Sequence, residues 1–225
     1  CAAPSVDEVN IGRVAALRMG CGQKVPGWTV MRNCASGMQA VDSGISNILA
    51  GRSELVLAGG VDALSRAPLL YAERMVSWFS DMAAARTSGQ RAALFARLPF
   101  KSLLAPVIGI MKGLTDPIVG LLMGQTAENL AYRFGVTREQ QDLFSIRSHQ
   151  RLAKAQDEGR LAPGGGEVEA LYDPEGNAYP LDDGVRRDAS IQSLAKLKPF
   201  FDRKYGTVTP GNSSQITDGA AWLIL

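Results

Sequence analysis

The sequence has little that would serve metal, nucleic-acid or disulfide chemistry. Its 225 residues include one histidine and three cysteines, Cys1, Cys21 and Cys34, and no two cysteines have CxxC spacing. Such a set cannot complete a zinc pattern, so we expect no metal site. An odd number of cysteines fits a reducing compartment better than a disulfide framework, and we therefore expect a cytoplasmic protein.

Charge excess and long apolar runs are also absent. The 24 basic residues nearly balance the 22 acidic ones, leaving a net charge of +2, which is too weak to suggest a nucleic-acid partner. The most apolar stretch, Ser102–Met111, is interrupted by Pro106 and Gly109. A membrane span needs about 20 apolar residues, so this stretch predicts a buried or interfacial segment.

What the sequence does contain is a change of period around Cys34. Thr29–Met31 is short, largely apolar and partly β-branched, which predicts a buried strand. Apolar residues between 38 and 49 then recur at helical spacing, and Gly51 stands where a glycine would end that helix. Glu54–Ala58 predicts a second buried strand. Together they predict a βαβ unit with a right-handed crossover in a parallel sheet.

The rest of the chain divides into an irregular segment and a helical one. Residues 68–117 have no single period, which predicts a long insertion or cap over the core. Helices are predicted at Gln125–Phe134 and Arg138–Glu158, the latter with Thr137 and Gln140 as a capping box. Further predicted elements are a hairpin of Val168–Tyr172 with Ala178–Leu181, a helix at Ser190–Lys196, and strands at Thr207–Thr209 and, buried, at Ala221–Leu225.

Cys34 is a candidate nucleophile because of its place between a strand and a helix. Unpaired N–H groups give a helix N-terminus partial positive charge, which favours a thiolate and can stabilise an oxyanion. Ala35, Ser36 and Gly37 are small and would let a substrate approach the sulfur. Free cysteines are also among the most buried residues and are often inert. Position alone leaves both interpretations open for Cys34, whereas Cys1 and Cys21 lack this context and are expected to be inert packing residues.

Several segments, in order along the chain, resemble the thiolase family. Asn33–Val41 (NCASGMQAV) and Leu57–Ser65 (LAGGVDALS) are similar to its nucleophile region, and Met123–Ala131 (MGQTAENLA) is similar to the loop that begins a cap helix. Further similar segments are Ser145–Gln150, Asp182–Arg187, Leu194–Pro199 and Thr207–Ala221 (TVTPGNSSQITDGAA). Several motifs in register are more specific than one cysteine, so the chain is identified as a member of this family, closest to its long-chain or trifunctional-type branch.

The resemblance implies an α/β fold: a thiolase-like mixed sheet with βαβ units sandwiched by helices, plus an inserted α-rich cap or loop domain. It places parts of the N-terminal core domain at residues 1–67 and 197–225 and the cap at 68–196. The C-terminal thiolase domain and the family's first strand and helix have no counterpart here. We therefore expect the chain to be an incomplete portion of a thiolase and inactive in isolation.

The implied activity is that of an acetyl-CoA C-acyltransferase. A thiolase cleaves 3-ketoacyl-CoA with coenzyme A to give acetyl-CoA and a shortened acyl-CoA, or runs the reverse condensation, through an acyl-cysteine intermediate. Cys34 would carry the acyl group. Coenzyme A is then a cosubstrate, and no permanently bound cofactor is expected.

The resemblance also implies further site residues. Met123 would wall the acyl pocket, and Gly37 and Asn212 would serve oxyanion or structural support. The residues implied for coenzyme A binding are Arg186, Ser193 and Ser214.

The sequence departs from the family pattern at the activating groups. Thiolases take a His, a second Cys and an Asn from their second half, and none has a counterpart here. His149 matches no catalytic position, and Leu122 stands where many thiolases have His. Gly59 and Gly60 are expected to permit close packing behind the Cys34 helix.

The expected partners follow from the same resemblance. They are coenzyme A and acyl-CoA thioesters, with the chain in a homodimer or homotetramer. A β-oxidation multienzyme partner and peripheral membrane contact through the apolar cap segment Leu98–Met123 are further hypotheses. Two alternatives stay open: a non-catalytic acyl-CoA-binding or assembly module, and a decarboxylating ketoacyl synthase of the same superfamily. The MGQTAENLA and TVTPGNSSQITDGAA segments favour a thiolase over the synthase.

Overall fold

A computed structural model describes residues 9–161, 163, 167–173 and 175–225. The chain forms two compact units, Cys1–Asp116 with Ile216–Leu225 and Pro117–Gln215. These units have other bounds than the predicted core (residues 1–67 and 197–225) and cap (68–196), and the division into core and cap stays a prediction.

The first unit is built around one long helix on a pair of strands. Helix α1, Ile11–Arg18, precedes helix α2, Ser36–Leu49, which packs on strand β1, Leu57–Asp62. Strand β6, Gly219–Ile224, pairs antiparallel with β1. Helix α2 ends as predicted, with Gly51 in the left-handed conformation at φ 67°.

The close approach of α2 to the strands depends on a buried glycine. A β-carbon on Gly44 would lie 2.9 Å from Leu225 Cδ1 and 3.1 Å from Val56 Cγ1. The backbones of Val56 and Leu225 exchange hydrogen bonds of 3.1 and 2.9 Å, which extends the strand pairing beneath the helix. Glycine at this position therefore sets the spacing between α2 and the strand pair.

The predicted irregular segment contains four helices. They are α3 (Glu73–Ala84), α4 (Ser88–Ala96), α5 (Phe100–Leu104) and α6 (Gly109–Gly113), and strands β2 (Leu69–Leu70) and β3 (Val107–Ile108) pair antiparallel. The Trp78 indole donates to the Leu94 carbonyl at 2.9 Å and meets the Phe95 ring edge-on. The segment without a single period thus forms helices, among which Met75 is buried and Trp78 is part-buried.

The second unit is mainly helical and follows the predictions closely. Helix α7, Met123–Phe134, ends at Gly135 with φ 63°, and helix α8, Arg138–Asp157, begins with the predicted capping box of Thr137 and Gln140. Three shorter elements follow: strands β4 (Leu171–Tyr172) and β5 (Ala178–Tyr179), which form the predicted hairpin over fewer residues, and helix α9 (Ile191–Leu194), within the predicted range. Pro174 of the predicted hairpin turn lies outside the described residues.

Several strand predictions were wrong in part or whole. The strand predicted at Glu54–Ala58 shares only its last two residues with β1. Thr29–Met31 is not a strand; the Thr29 hydroxyl instead accepts from the Gly12 N–H and donates to Asn10 Oδ1, both at 3.0 Å. Thr207–Thr209 is not a strand either, because its N–H groups bind side chains. Strand β6 forms at the predicted place, but all six of its residues are exposed.

The described residues thus combine helices with three two-stranded antiparallel sheets, an α/β arrangement. Without a strand at Thr29–Met31, they do not form the parallel crossover predicted around α2. In the part of the chain that the structure describes, no helix has the length and apolar character needed to cross a membrane.

Candidate active site

Cys34 lies at the entrance to α2 with an exposed, free thiol. The N-cap residue is Ala35, which offers the helix no side-chain hydrogen bond. The Ser36 N–H donates to the Asn33 carbonyl at 3.1 Å, but the next N–H groups of α2 lack the capping oxygen that Ser, Thr, Asp or Asn would supply. Such N–H groups can stabilise negative charge on a thiolate or an oxyanion.

Cys21 provides an internal comparison, since its thiol is also free and exposed. Its backbone N–H donates to the Ala16 carbonyl at 3.1 Å, which places it just beyond the C-terminal end of α1. A helix C-terminus carries partial negative charge and disfavours a thiolate. Of these two cysteines, only Cys34 lies beside a helix N-terminus, where the partial charge is positive.

Two neighbouring glycines support α2 differently. A β-carbon on Gly60 would lie 3.4 Å from the Gly37 α-carbon, so β1 passes closely beneath the first turn of α2. A β-carbon on Gly59 would instead lie 2.3 Å from the Ala221 carbonyl oxygen and 2.6 Å from the Trp222 ring. Gly60 thus faces the first turn of α2 at an ordinary contact distance, whereas Gly59 makes room for β6.

The turn that carries Cys34 is held by the hydroxyl of Ser36. This hydroxyl accepts from the Arg32 N–H at 2.8 Å and donates to the Asn33 carbonyl at 2.7 Å. Asn33 has φ 49°, the one positive value at a non-glycine residue among those the structure describes. The Arg32 side chain donates to Gln39 Oε1 at 2.8 Å, which ties the turn to α2 a second time.

In the second unit, a carboxylate on α7 holds the segment that precedes Asn212. Glu128 Oε2 accepts from the Thr207 N–H at 2.8 Å and from its hydroxyl at 3.0 Å, and Oε1 accepts from the Val208 N–H at 2.9 Å. These bonds are part-buried. Glu128 therefore fixes the backbone of this loop, a role that sequence reasoning missed.

Asn212 lies at the centre of a polar network. Its side-chain amide donates to Asp142 Oδ1 and to the Thr207 carbonyl, each at 3.0 Å, and accepts from the Thr209 N–H at 2.8 Å. Asp142 is buried, and the Arg138 guanidinium donates to its other oxygen at 2.7 Å. The side chain of Asn212 is therefore occupied in holding the loop.

A hydrogen bond joins the segments that carry Arg186 and Ser214: Gln215 Nε2 donates to the Gly184 carbonyl at 2.8 Å. The Arg186 N–H separately donates to His149 Nδ1 on α8 at 3.2 Å. The Arg186 guanidinium is exposed and makes no hydrogen bond or ion pair with the described part of the chain. The exposed Ser214 hydroxyl makes one long contact of 3.4 Å with the Gln215 carbonyl. Both groups are free to bind a ligand.

Ser193 and Met123 stand at helix starts. The Ser193 hydroxyl donates to the Ser190 carbonyl at 2.9 Å and accepts from the Ser190 N–H at 3.0 Å and the Ser190 hydroxyl at 3.1 Å, so it is fully engaged at the start of α9. Met123 is the first residue of α7 and is 46% exposed. At the preceding position, the Leu122 N–H donates to Gln125 Oε1 at 2.9 Å, so the Gln125 side chain supports the start of α7.

Comparison with known proteins establishes the family of the chain. A model of the thiolase N-terminal domain matches residues 1–225. The chain belongs to the thiolase family. The resemblance inferred from its motifs is therefore confirmed, together with the α/β thiolase fold.

Individual thiolases match over almost all of the chain. The 3-ketoacyl-CoA thiolase of Citrobacter koseri is 38% identical over 217 residues, which are 96% of this chain and 48% of that protein. The acetyl-CoA acetyltransferase of Bacillus anthracis superposes with a TM-score of 0.78 at 32% identity, covering 100% of this chain and 52% of that one. Human mitochondrial 3-ketoacyl-CoA thiolase, solved in complex with CoA, superposes with a TM-score of 0.78 at 29% identity. The match covers 99% of this chain and 50% of that one. The chain spans about half the length of the relatives it matches.

The expected site residues of this thiolase-family chain are distributed over its two units. Cys34 and Gly37 belong to the first unit. The second contains Met123, Arg186, Ser193, Asn212 and Ser214. Three supporting side chains, Ser36, Glu128 and Gln215, were missed. Each lies within a motif quoted for the resemblance, but nothing in its spacing indicates which backbone group it binds.

Proposed function

We propose that this chain supplies the acyl-carrying nucleophile and part of the coenzyme A site of a thiolase-type acyltransferase. The observation that carries the proposal is the exposed, free Cys34 at the start of α2, whose N-cap provides no side-chain oxygen. Relatives bearing the name 3-ketoacyl-CoA thiolase support the substrate class. Since the chain spans about half of those proteins, the activity is proposed for the whole protein.

The proposed reaction has two halves. The Cys34 thiolate attacks the C3 carbonyl of a 3-ketoacyl-CoA, whose oxygen becomes an alkoxide. That alkoxide collapses to a thioester on Cys34 and the C2–C3 bond breaks. The electron pair passes to the acetyl-CoA enolate, which takes up a proton. A coenzyme A thiolate then attacks the thioester, a shortened acyl-CoA leaves, and the Cys34 thiolate is regenerated. The reverse sequence is the condensation.

The second unit would bind coenzyme A through its exposed polar groups. The Arg186 guanidinium has no competing partner in the described residues and can pair with phosphate or stack on adenine. The Ser214 hydroxyl can bond a pantetheine amide, whereas the Ser193 hydroxyl would first have to give up a hydrogen bond to Ser190. Half-exposed Met123 would face the acyl chain. Asn212 and Gly37 would act by holding the loop and the helix start in place.

The remaining expectations belong to this proposal. We expect a thiolase of the long-chain or trifunctional-type branch that forms a homodimer or homotetramer in the cytoplasm. Its substrates would be free acyl-CoA thioesters, and it would hold no permanently bound cofactor. Contact with a β-oxidation multienzyme partner or with a membrane surface would use the apolar segment Leu98–Met123. In that segment Leu104 and Ile118 are 68% and 89% exposed.

Thiolysis assays on the full-length protein test the proposal. Purified protein with acetoacetyl-CoA or a longer 3-ketoacyl-CoA, plus coenzyme A, should release acetyl-CoA. Cys34→Ala should abolish this release, and Cys21→Ala should retain it. Cys21→Ala is a matched control because both thiols are free and exposed. Coenzyme A binding without turnover would favour the non-catalytic module, and loading from an acyl carrier protein in place of acyl-CoA would favour the ketoacyl synthase.

A further inference from the structure

We propose that Ser36 is a positioning residue for Cys34, with its hydroxyl holding the turn that presents the thiol. The inference rests on the proposed function, because positioning matters only if Cys34 is the nucleophile. Ser36 is the first residue of α2 and stands two positions after Cys34. Its side chain does not act as a helix cap, since Ala35 occupies the N-cap position.

The Ser36 hydroxyl makes two hydrogen bonds that bracket the turn. It accepts from the Arg32 N–H at 2.8 Å and donates to the Asn33 carbonyl at 2.7 Å. The sulfur of Met31, at 3.9 Å, is a more distant acceptor for the same proton. One side chain thus closes a ring around the backbone from Arg32 to Ser36, and Cys34 is the central residue of that ring.

The backbone enclosed by the Ser36 hydrogen bonds includes one residue in an unfavourable conformation, Asn33. Asn33 has φ 49° and lies in the left-handed region, which disfavours L-residues even though asparagine tolerates it better than most. Such conformations persist where surrounding contacts over-determine them. The bonds from Ser36 fall on both sides of Asn33, on the N–H before it and on its own carbonyl. They oppose rotation of Asn33 toward negative φ.

Backbone bonds alone leave this turn weakly defined. The Ala35 N–H donates to the Arg32 carbonyl at 3.0 Å, and the Ser36 N–H donates to the Asn33 carbonyl at 3.1 Å. Both are bonds of a tight turn that many backbone conformations can form. The Ser36 hydroxyl adds the contact that binds the Arg32 N–H.

The consequence for chemistry is geometric. Cys34 follows Asn33 directly, so rotation of Asn33 would move the thiol relative to the first N–H groups of α2. A displacement of about 1 Å at a reacting group can cost about a hundredfold in rate. Loss of the Ser36 hydroxyl is therefore expected to slow reactions at Cys34 by about tenfold to a hundredfold.

The test compares variants that differ in the hydroxyl. In the full-length protein, Ser36→Ala and Ser36→Val remove it and Ser36→Thr retains it; threonine and valine have nearly the same shape. Ser46→Ala, at an exposed position on the same helix, is the matched control. Alkylation of Cys34 by iodoacetamide is followed by mass spectrometry, with the free and exposed Cys21 as internal reference. The same variants are then assayed for acetylation by acetyl-CoA.

The expected result is slow alkylation and acetylation of Cys34 in Ser36→Ala and Ser36→Val, with rates near wild type in Ser36→Thr and Ser46→Ala. Alkylation of Cys21 should not change. Equal Cys34 rates in wild type and Ser36→Ala would overturn the inference, as would equal slowing by threonine and valine or parallel slowing at Cys21. If Ser36→Ala does not fold, the threonine and valine pair decides. Absence of acetylation in wild type would count against the proposed function, while the alkylation series would still decide the role of Ser36.

Discussion

The α-carbon of Gly37 lies 3.4 Å from the position that a β-carbon on Gly60 would occupy. This spacing brings the backbone of β1 directly beneath the first turn of α2, where Cys34 is presented. A neighbouring glycine, Gly59, faces a different constraint, because its added methyl would meet the backbone and ring of the β6 residues Ala221 and Trp222.

Alanine at these adjacent glycines should therefore have opposite consequences. Gly59→Ala would place a methyl 2.3 Å from a backbone oxygen that cannot move alone, so the strand pairing must shift, at a cost of about 1–3 kcal/mol. Gly60→Ala makes an ordinary contact and does not require positive φ, so we expect stability equal to wild type or higher by up to about 1 kcal/mol. Urea unfolding measures both. Equal destabilisation by the two substitutions would show that the strand spacing is wrong.

Removing the negative charge of Glu128 should destabilise the fold more than removing that of an exposed glutamate. Glu128→Gln replaces an acceptor oxygen by an NH₂ group that faces the N–H and hydroxyl donors of Thr207 and Val208. A part-buried donor left without an acceptor costs about 1–3 kcal/mol. Glu169→Gln, at an exposed position in the same unit, is the control. The free energy of unfolding should fall in the first variant only; a fall of the same size in the control would count against the Glu128 anchor.

Asp218 predicts a stability difference that depends on pH. The Ser65 hydroxyl, followed by the Ser65 N–H, lowers the pKa of Asp218 below its ordinary value of 3.8. Because the folded-state pKa lies below the unfolded one, ionised Asp218 stabilises the fold above 3.8, and this contribution is lost as the pH falls through the lowered pKa. Ser65→Ala should thus lower Tm near neutral pH, and the deficit should shrink as the pH falls below 3.8. A deficit that is independent of pH would contradict this linkage.

The sequence predicted best those features that local chemistry determines. The Thr137 and Gln140 capping box marks the start of α8, and left-handed glycines end α2 and α7 where they were expected. The same Thr-x-x-Gln signal occurs at Thr87 and Gln90, where both capping hydrogen bonds form at the start of α4. That signal was overlooked because the surrounding apolar residues have no regular period.

Features that depend on distant partners were beyond a local pattern. Thr29–Met31 has the composition of a strand, but the Thr29 hydroxyl bonds the start of α1 instead. Strand β6 is apolar and was expected to be buried, yet it forms the exposed edge of a two-stranded sheet in the described residues. The positive φ of Asn33 and the contact of its carbonyl with Ser36 are features that residue spacing alone does not reveal.

The central claim is that Cys34 carries the acyl group, and peptide mapping tests it most directly. The full-length protein is incubated with acetyl-CoA or acetoacetyl-CoA, quenched in acid and digested, and each cysteine-containing peptide is examined for an acetyl adduct by mass spectrometry. The account predicts an adduct on Cys34 that added coenzyme A removes, with Cys21, equally free and exposed, unmodified. An adduct on Cys21 alone, or no adduct on Cys34 under conditions of turnover, would contradict it.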